Sequence, residues 1–462
     1  MLRNHPKLFT MKKRILYSLL ILFIASLAGG AVYINSLMPV ITGYAAKNLA
    51  SAVFISDRNQ ADVEALDLNF SLIKYCSNEL DTIHKKVTSR FLWGRSTAIY
   101  REGFGCTIVR DTDEESLRKI KFSSIARPAY NQDSTIWPLG NIVPLRIIAG
   151  AELSKLQEIA GKLIDQDAYN GHVFAFMVVH NGYPLVEKYR SEFNPKTRFL
   201  SWSMAKSFTN ALTGIMVKDG KLDIDKPADI PEWQNDERKN ITVNNLLQMK
   251  SGLKWNEDYG SASDVNLMLH READFAAYVA GQPLEFPVDN HWYYSSGSTN
   301  LVSRLIRNTL NNDDEYHRLA YERLLYRIGM PDAVFETDAS GTFVGSSYIY
   351  ATARDYARFA LLYLQDGVFN GEQILPEGWV KYTSTPVNGS DDSYGSSFWL
   401  NGNDEFPDAP ANMFYCKGHD GQRIFILPDQ QLAVVILGYS PKPDKVVEFN
   451  RLLGDVLSAI KQ

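Results

Sequence analysis

Cysteine is scarce in this chain: 462 residues carry three, Cys76, Cys106 and Cys416. An odd number excludes a complete disulfide framework. Cys76 and Cys106 stand either as a pair or as separate buried thiols, and Cys416 reads as a small packing residue. The eight histidines show no His-x-His or His-Glu-x-x-His spacing, so no resident metal is expected. No glycine-rich loop opens a helix, which leaves nucleotide binding unsupported, and no cofactor is expected. Basic stretches interleaved with aromatics are missing beyond the extreme N-terminus, and the net charge is −5; nucleic acid is not an expected partner. Internal repeats and low-complexity tracts are absent. What remains, 45% apolar and 22% charged residues, is ordinary for a folded protein of one large or two smaller domains.

One long uncharged run is present, from Ile15 to Ile34, behind Arg3, Lys7, Lys12, Lys13 and Arg14. Twenty helical residues at about 1.5 Å each match a hydrocarbon core of about 30 Å. The basic cluster would stay cytoplasmic, placing everything after residue 36 outside. Ser26-Leu27-Ala28 offers a cleavage site for the competing signal-peptide reading. The apolar run continues past that site, which favours an uncleaved anchor.

The chemistry centres on Ser203, in Phe199-Leu200-Ser201-Trp202-Ser203-Met204-Ala205-Lys206. A serine three residues before a lysine at a helix entry puts hydroxyl and amine on one face. A serine hydroxyl needs such an adjacent base to become a nucleophile. Phe208, Leu212, Ile215 and Met216 recur at helical spacing, and Gly220 supplies a stop. Ser-x-x-Lys also occurs at Ser71/Lys74, Ser116/Lys119, Ser251/Lys254 and Ser458/Lys461, none at the entry of a comparable apolar helix. The case for Ser203 therefore rests on two later blocks. Trp292-Tyr293-Tyr294-Ser295-Ser296-Gly297 is a polar aromatic turn before an apolar helical pattern. Lys417-Gly418-His419-Asp420-Gly421-Gln422 runs into a strand, followed by a turn and a second strand to Leu437.

In this order the three blocks resemble the penicillin-recognising serine hydrolases: class C-type β-lactamases, DD-peptidases and related esterases and amidases, with Ser-x-x-Lys, Tyr-x-Asn or Ser, and Lys-Thr-Gly or His-x-Gly. Ile241 to Leu253 and Tyr350 to Phe359 are similar to further blocks of the family, and the wording is closest to its 6-aminohexanoate-dimer hydrolase and carboxylesterase branch. The resemblance covers roughly residues 150 to 462. It implies an α+β fold: an antiparallel sheet flanked by helices plus a helical subdomain, here preceded by one N-terminal hydrophobic helix. The pattern agrees, with strands at both ends and helices between. An amphipathic stripe spans Leu153 to Ile164, Asn181-Gly182 joins two strand-like runs as a hairpin turn, and a final helix carries Leu453, Val456 and Leu457. The expected organisation is a basic tail 1–14, an anchor or signal peptide 15–36, an accessory segment 37–148 and a hydrolase domain 149–462. The accessory segment reads as helix near 61–66 and 114–120, with a strand pair around Gly94-Arg95-Ser96.

By the same resemblance, Ser203 is the nucleophile and Lys206 and Tyr294 share the proton work, in an order the sequence leaves open; the family spacing prefers Tyr294 to Tyr293. Ser296, His419, Gly421 and Gln422 are implied to bind substrate or its oxyanion, with backbone N–H groups of Ser203 and Gln422 meeting the charge. The third block departs from Lys-Thr-Gly, and a histidine is not a fixed cation at neutral pH. That turns the expectation from β-lactamase or DD-peptidase toward an esterase or amidase acting on a small-molecule or peptide-like substrate. The expected location is the bacterial inner membrane, held through residues 15–34, with the hydrolase in the periplasm or outside, or secreted if the leader is cleaved. The competing readings are a catalytically silent penicillin-binding relative and a membrane-anchored scaffold acting through residues 37–148.

Overall fold

Between Ile15 and Ile34 there is no charge and no proline, and Gly29-Gly30 stand within an otherwise apolar run that favours helix. In the computed structural model, which describes residues 6–145, 150–441 and 445–460, helix α1 runs from Pro6 to Phe54. Arg3 and the division expected between residues 148 and 149 lie outside the described residues. Residues 13–35 of α1 are exposed along their whole length. At Met38 the helix enters protein. Ile41, Ala45, Ala46, Leu49 and Ala50 are buried, and the small alanines let neighbouring backbone come close.

The partner of this buried half is a four-stranded antiparallel sheet: β1 (Ser77–Asp81), β2 (Lys86–Phe91), β3 (Gly94–Arg101) and β4 (Gly105–Ile108), in that order. The strand pair expected around Gly94 is β2–β3, but its turn is Leu92-Trp93, and Gly94-Arg95-Ser96, expected as the turn, begin β3; the expected short helices are Gln60–Ala65 and Glu114–Lys119. The core between α1 and this sheet also takes in Tyr350, from far along the chain.

Helix α2 (Leu153–Ile164) precedes the hairpin β5 (Val173–His180) and β6 (Tyr183–Tyr189). Its turn residues Asn181 and Gly182 both have positive φ, 49° and 74°, the geometry that matches strand twist. Four late strands join this hairpin: β7 (Trp399–Leu400), β8 (Phe414–Lys417), β9 (Arg423–Leu427) and β10 (Leu432–Gly438). The six-stranded antiparallel sheet has the order β7-β8-β9-β10-β5-β6, so strands from both ends of the domain meet at β10–β5. The period of two divides their side chains between two cores. Phe176, Val178, Val434 and Ile436 face α2 and the C-terminal helix, whereas Ala175, Met177, Val435 and Leu437 face the central helices. The architecture is α+β, as expected.

Three further helices position the chemistry or close the fold: α3 (Ala205–Lys218), α4 (Ser296–Thr309) and the C-terminal α5 (Phe449–Ser458).

Candidate active site

Ser203 sits in a single tight turn, Trp202–Met204, that feeds directly into α3. Trp202 has φ of 45°, a left-handed conformation that costs a bulky residue on the order of 1–3 kcal/mol. Its surroundings hold it there: the indole stacks on Tyr44 of α1 (centroids 6.2 Å apart), leans on Tyr348 (6.1 Å) and meets the His419 ring edge-on (5.5 Å). The turn presents Ser203 half-buried at the base of a cavity, while Lys206 is fully buried beneath it.

Lys206 Nζ donates to Ser203 Oγ at 3.1 Å, to Ser296 Oγ at 2.9 Å and to the carbonyl of Ser346 at 3.1 Å. All three ammonium donors have acceptors, yet burial pushes the amine down to about 8, with the Glu257 carboxylate opposing that drop. The Tyr294 ring lies 4.8 Å from Nζ. Burial and the Glu257 charge raise its phenol above the usual range, and a hydrogen bond with Ser203 pulls the other way. Tyr293 points outward, with 44% of its surface exposed.

Sequence reasoning missed Glu257. Its carboxylate accepts from Ser296 Oγ (2.5 Å) and Ser296 N (2.9 Å) at the start of α4, where the helix dipole favours an anion. Trp255 Nε1 donates to the same carboxylate at 2.5 Å, so Trp255 supports Glu257. A continuous line of hydrogen bonds therefore runs from Ser203 through Lys206 and Ser296 to Glu257. No local spacing points to it, because Glu257 and Ser296 are brought together only by the fold.

The His419-Asp420-Gly421 turn joins β8 to β9. Asp420 and Gly421 take φ of 55° and 92°, and a Cβ on Gly421 would stand 2.9 Å from Ser440 Cβ. The His419 ring stacks on Tyr259 at 4.9 Å, and its Nε2 faces Asp420 Oδ1 at 3.2 Å. Gln422 turns its side chain away: Nε2 donates to the Gly438 carbonyl (2.5 Å) and Oε1 accepts from Gly438 N (3.1 Å), clamping the turn to β10. Its backbone N–H closes the turn on His419 O at a long 3.5 Å. Arg423, also missed, is buried, donates to the carbonyls of Gly418 and Gln422 (3.0 and 2.8 Å), and is lowered to about 10 by burial.

Ser203, Tyr294, Tyr259, His419, Gly421 and Arg423 thus line one cavity of about 800 Å³. Its opposite wall comes from α1 and the segment after it, including Leu37, Ile41 and Phe70. The three thiols are unpaired, Cys106 and Cys416 buried and Cys76 partly so, which decides between the two cysteine readings. Among the described residues, no group of three or more His, Cys, Asp or Glu could hold a metal.

A half-buried serine above a buried lysine, beside an antiparallel sheet of this topology, is the arrangement of the serine hydrolase class. Residues 162–457 match the Beta-lactamase family model, and the chain belongs to that family, whose members act on amides or esters. It is similar to the 6-aminohexanoate-dimer hydrolase of Paenarthrobacter ureafaciens, with 25% identity over 58% of this chain and 73% of the relative. Among solved structures, a family VIII carboxylesterase superposes with a TM-score of 0.54 at 14% identity, covering 68% of this chain and 99% of the other. A class C beta-lactamase in complex with cefoxitin gives 0.52 at 16%, covering 67% and 99%. The structural matches show the shared fold; the N-terminal third lies outside the family match.

Proposed function

We propose that this protein hydrolyses an amide or ester through an acyl-enzyme on Ser203, with Lys206 as the base and Tyr294 as the proton carrier to the leaving atom. The reading rests on one observation: a fully buried amine, lowered to about 8, within 3.1 Å of a half-exposed serine hydroxyl. At pH 7 about one such amine in ten is neutral. Ser203 Oγ attacks the carbonyl carbon, its proton passes to neutral Nζ, and the carbonyl electron pair moves onto oxygen. The backbone N–H groups of Ser203 and Gln422 meet that charge, each worth about 3–4 kcal/mol; Gln422 exchanges its long bond to His419 O for the oxyanion. Collapse breaks the carbon–nitrogen or carbon–oxygen bond. Tyr294, whose raised phenol stays protonated, gives its proton to the leaving amine or alcohol and is refilled from Lys206. Water then attacks the acyl-enzyme by the same route and frees Ser203.

In this reading Ser296 holds Lys206 in place, and His419 and Gly421 wall the substrate position. The exposed residues 13–35 of α1 anchor the chain in a membrane, basic end inside and hydrolase outside.

The test is intact-mass analysis after incubation with a fluorophosphonate, together with ester turnover, for the full chain and Ser203→Ala. One adduct is expected, absent in the variant, with turnover lowered by about 10³ to 10⁶. A loss of less than about tenfold in a folded variant removes Ser203 from the role of nucleophile.

A further inference from the structure

The catalytic cavity reaches the membrane end of α1. Besides Ser203 and Tyr294, it is lined by Leu37, Val40 and Ile41 on the inward side of the helix and, at its edge, by the exposed Tyr33, just where the exposed stretch ends. Phe70 and Leu72 face them from the following segment. The site therefore has a polar floor and an apolar wall that continues into residues 15–34.

An independent feature marks the same level. The β2–β3 hairpin lies against α1, with Met38 so near Gly94 that an added Cβ would stand 2.9 Å from the methionine Cβ. Trp93, at the hairpin tip, donates through Nε1 to Asn35 Oδ1 at 3.1 Å. Leu92 and Trp93 are 69% and 63% exposed, and Tyr33 is 53% exposed. A tryptophan, a tyrosine and a leucine held outward at one height are what a protein places at a membrane–water interface.

We infer that the substrate is a long-chain acyl ester or amide resident in the bilayer, entering at the interface with its acyl chain along the α1 wall and its carbonyl at Ser203. This rests on the proposed nucleophile and anchor. Ser203 Oγ forms the new ester to the fatty acyl carbon, the amine or alcohol leaves with the proton, and water releases the fatty acid. The apolar wall recognises the chain by removing methylenes from water; two buried methylenes are worth about tenfold in binding.

The experiment uses the full chain in phosphatidylcholine nanodiscs and compares kcat/KM for acetyl and dodecanoyl esters of p-nitrophenol. The dodecanoyl ester is expected to be favoured by at least about tenfold, and Leu37→Ser and Phe70→Ser each to lower that ratio by about threefold or more. Labelling rates with ethyl and dodecyl fluorophosphonates read the same preference without turnover, so a silent ester or an unfolded variant does not leave the question open. Equal or faster reaction of the short-chain compounds overturns the inference while leaving the Ser203 nucleophile standing; no reaction with any probe overturns both. The interfacial level is read separately, by fluorescence quenching with brominated phosphatidylcholine. Quenching is expected to fall in Trp93→Ser, and an unchanged value overturns the placement of the cavity mouth at the membrane surface.

Discussion

Lys206 gives all three of its donors to oxygens, yet its burial makes its charge costly. Its amine is lowered from 10.5 to about 8, which corresponds to about 3 kcal/mol of folding free energy set against the protonated form. The sign follows from proton counting. Between about pH 8 and 10.5 the unfolded chain binds the proton that the folded chain has released, so stability rises with pH across that window. Above it the penalty is gone, and below it the penalty is fully present. Lys206→Met is therefore expected to abolish turnover and also to flatten this rise. Wild-type stability, measured by denaturant unfolding from pH 7.5 to 10.5, should gain up to about 3 kcal/mol on the variant; parallel curves would mean that the lysine is not lowered. Glu257 bears on the same proton, because its charge opposes the drop. Replacing it by glutamine keeps an acceptor for Ser296 but removes the charge, so the acid limb of kcat/KM should move to lower pH, by up to about one unit. An unmoved limb would show that the Glu257 charge does not reach the lysine.

At the scale of elements, α1 is pinned by a buried ion pair. Lys47 Nζ lies 2.5 Å from Glu336 Oε2, and the other carboxylate oxygen accepts from Ser51 Oγ (3.0 Å) and from the backbone of Cys106 in β4 (2.6 Å). Both charges are buried. Removing one partner strands the other, at a cost of about 3–5 kcal/mol, so Lys47→Ala should lower the unfolding free energy measured in urea by that amount, and with it the midpoint, while Lys47→Ala/Glu336→Gln recovers part of it. One turn before Lys47, Tyr44 stacks on Trp202, so loosening α1 should also slow fluorophosphonate labelling of Ser203. An unaltered midpoint would place α1 outside the cooperative unit. The Ser203–Lys206 pair was legible because its spacing acts within one helical turn. The β5–β6 and β9–β10 hairpins were legible because alternation and turn residues lie side by side in the chain. The docking of α1 was not. The charge-free run ends at Ile34 and suggested a boundary, but a single helix crosses that position, with Pro39 inside it, and runs to Phe54. Nothing beside Lys47 in the sequence points to Glu336, which stands far along the chain, and Glu257 escaped for the same reason.

The molecule as a whole is then a hydrolase whose cavity is completed by a segment outside the family match. The α1–sheet unit supplies the wall opposite Ser203, shares a core with Tyr350 and satisfies Glu336. Removing residues 1–34 takes away no buried side chain among the described residues 13–34, so the chain from residue 35 should unfold cooperatively at the temperature of the full chain and label at Ser203. Removing residues 1–148 uncovers Tyr350, leaves Glu336 buried or half-buried without its cation and takes away the support of Trp202, whose left-handed backbone is held in part by Tyr44. That shorter chain should show no cooperative thermal transition and no labelling. The pair of truncations separates two architectures. A folded, reactive 149–462 would make the N-terminal unit an independent attachment, and the division at 148 a true domain boundary. Loss of both properties in 149–462, with both retained from residue 35, would make the buried half of α1 and its sheet a structural part of the hydrolase. The enzyme would then be one body, with the Ser203 turn braced by the helix that enters from the N-terminus.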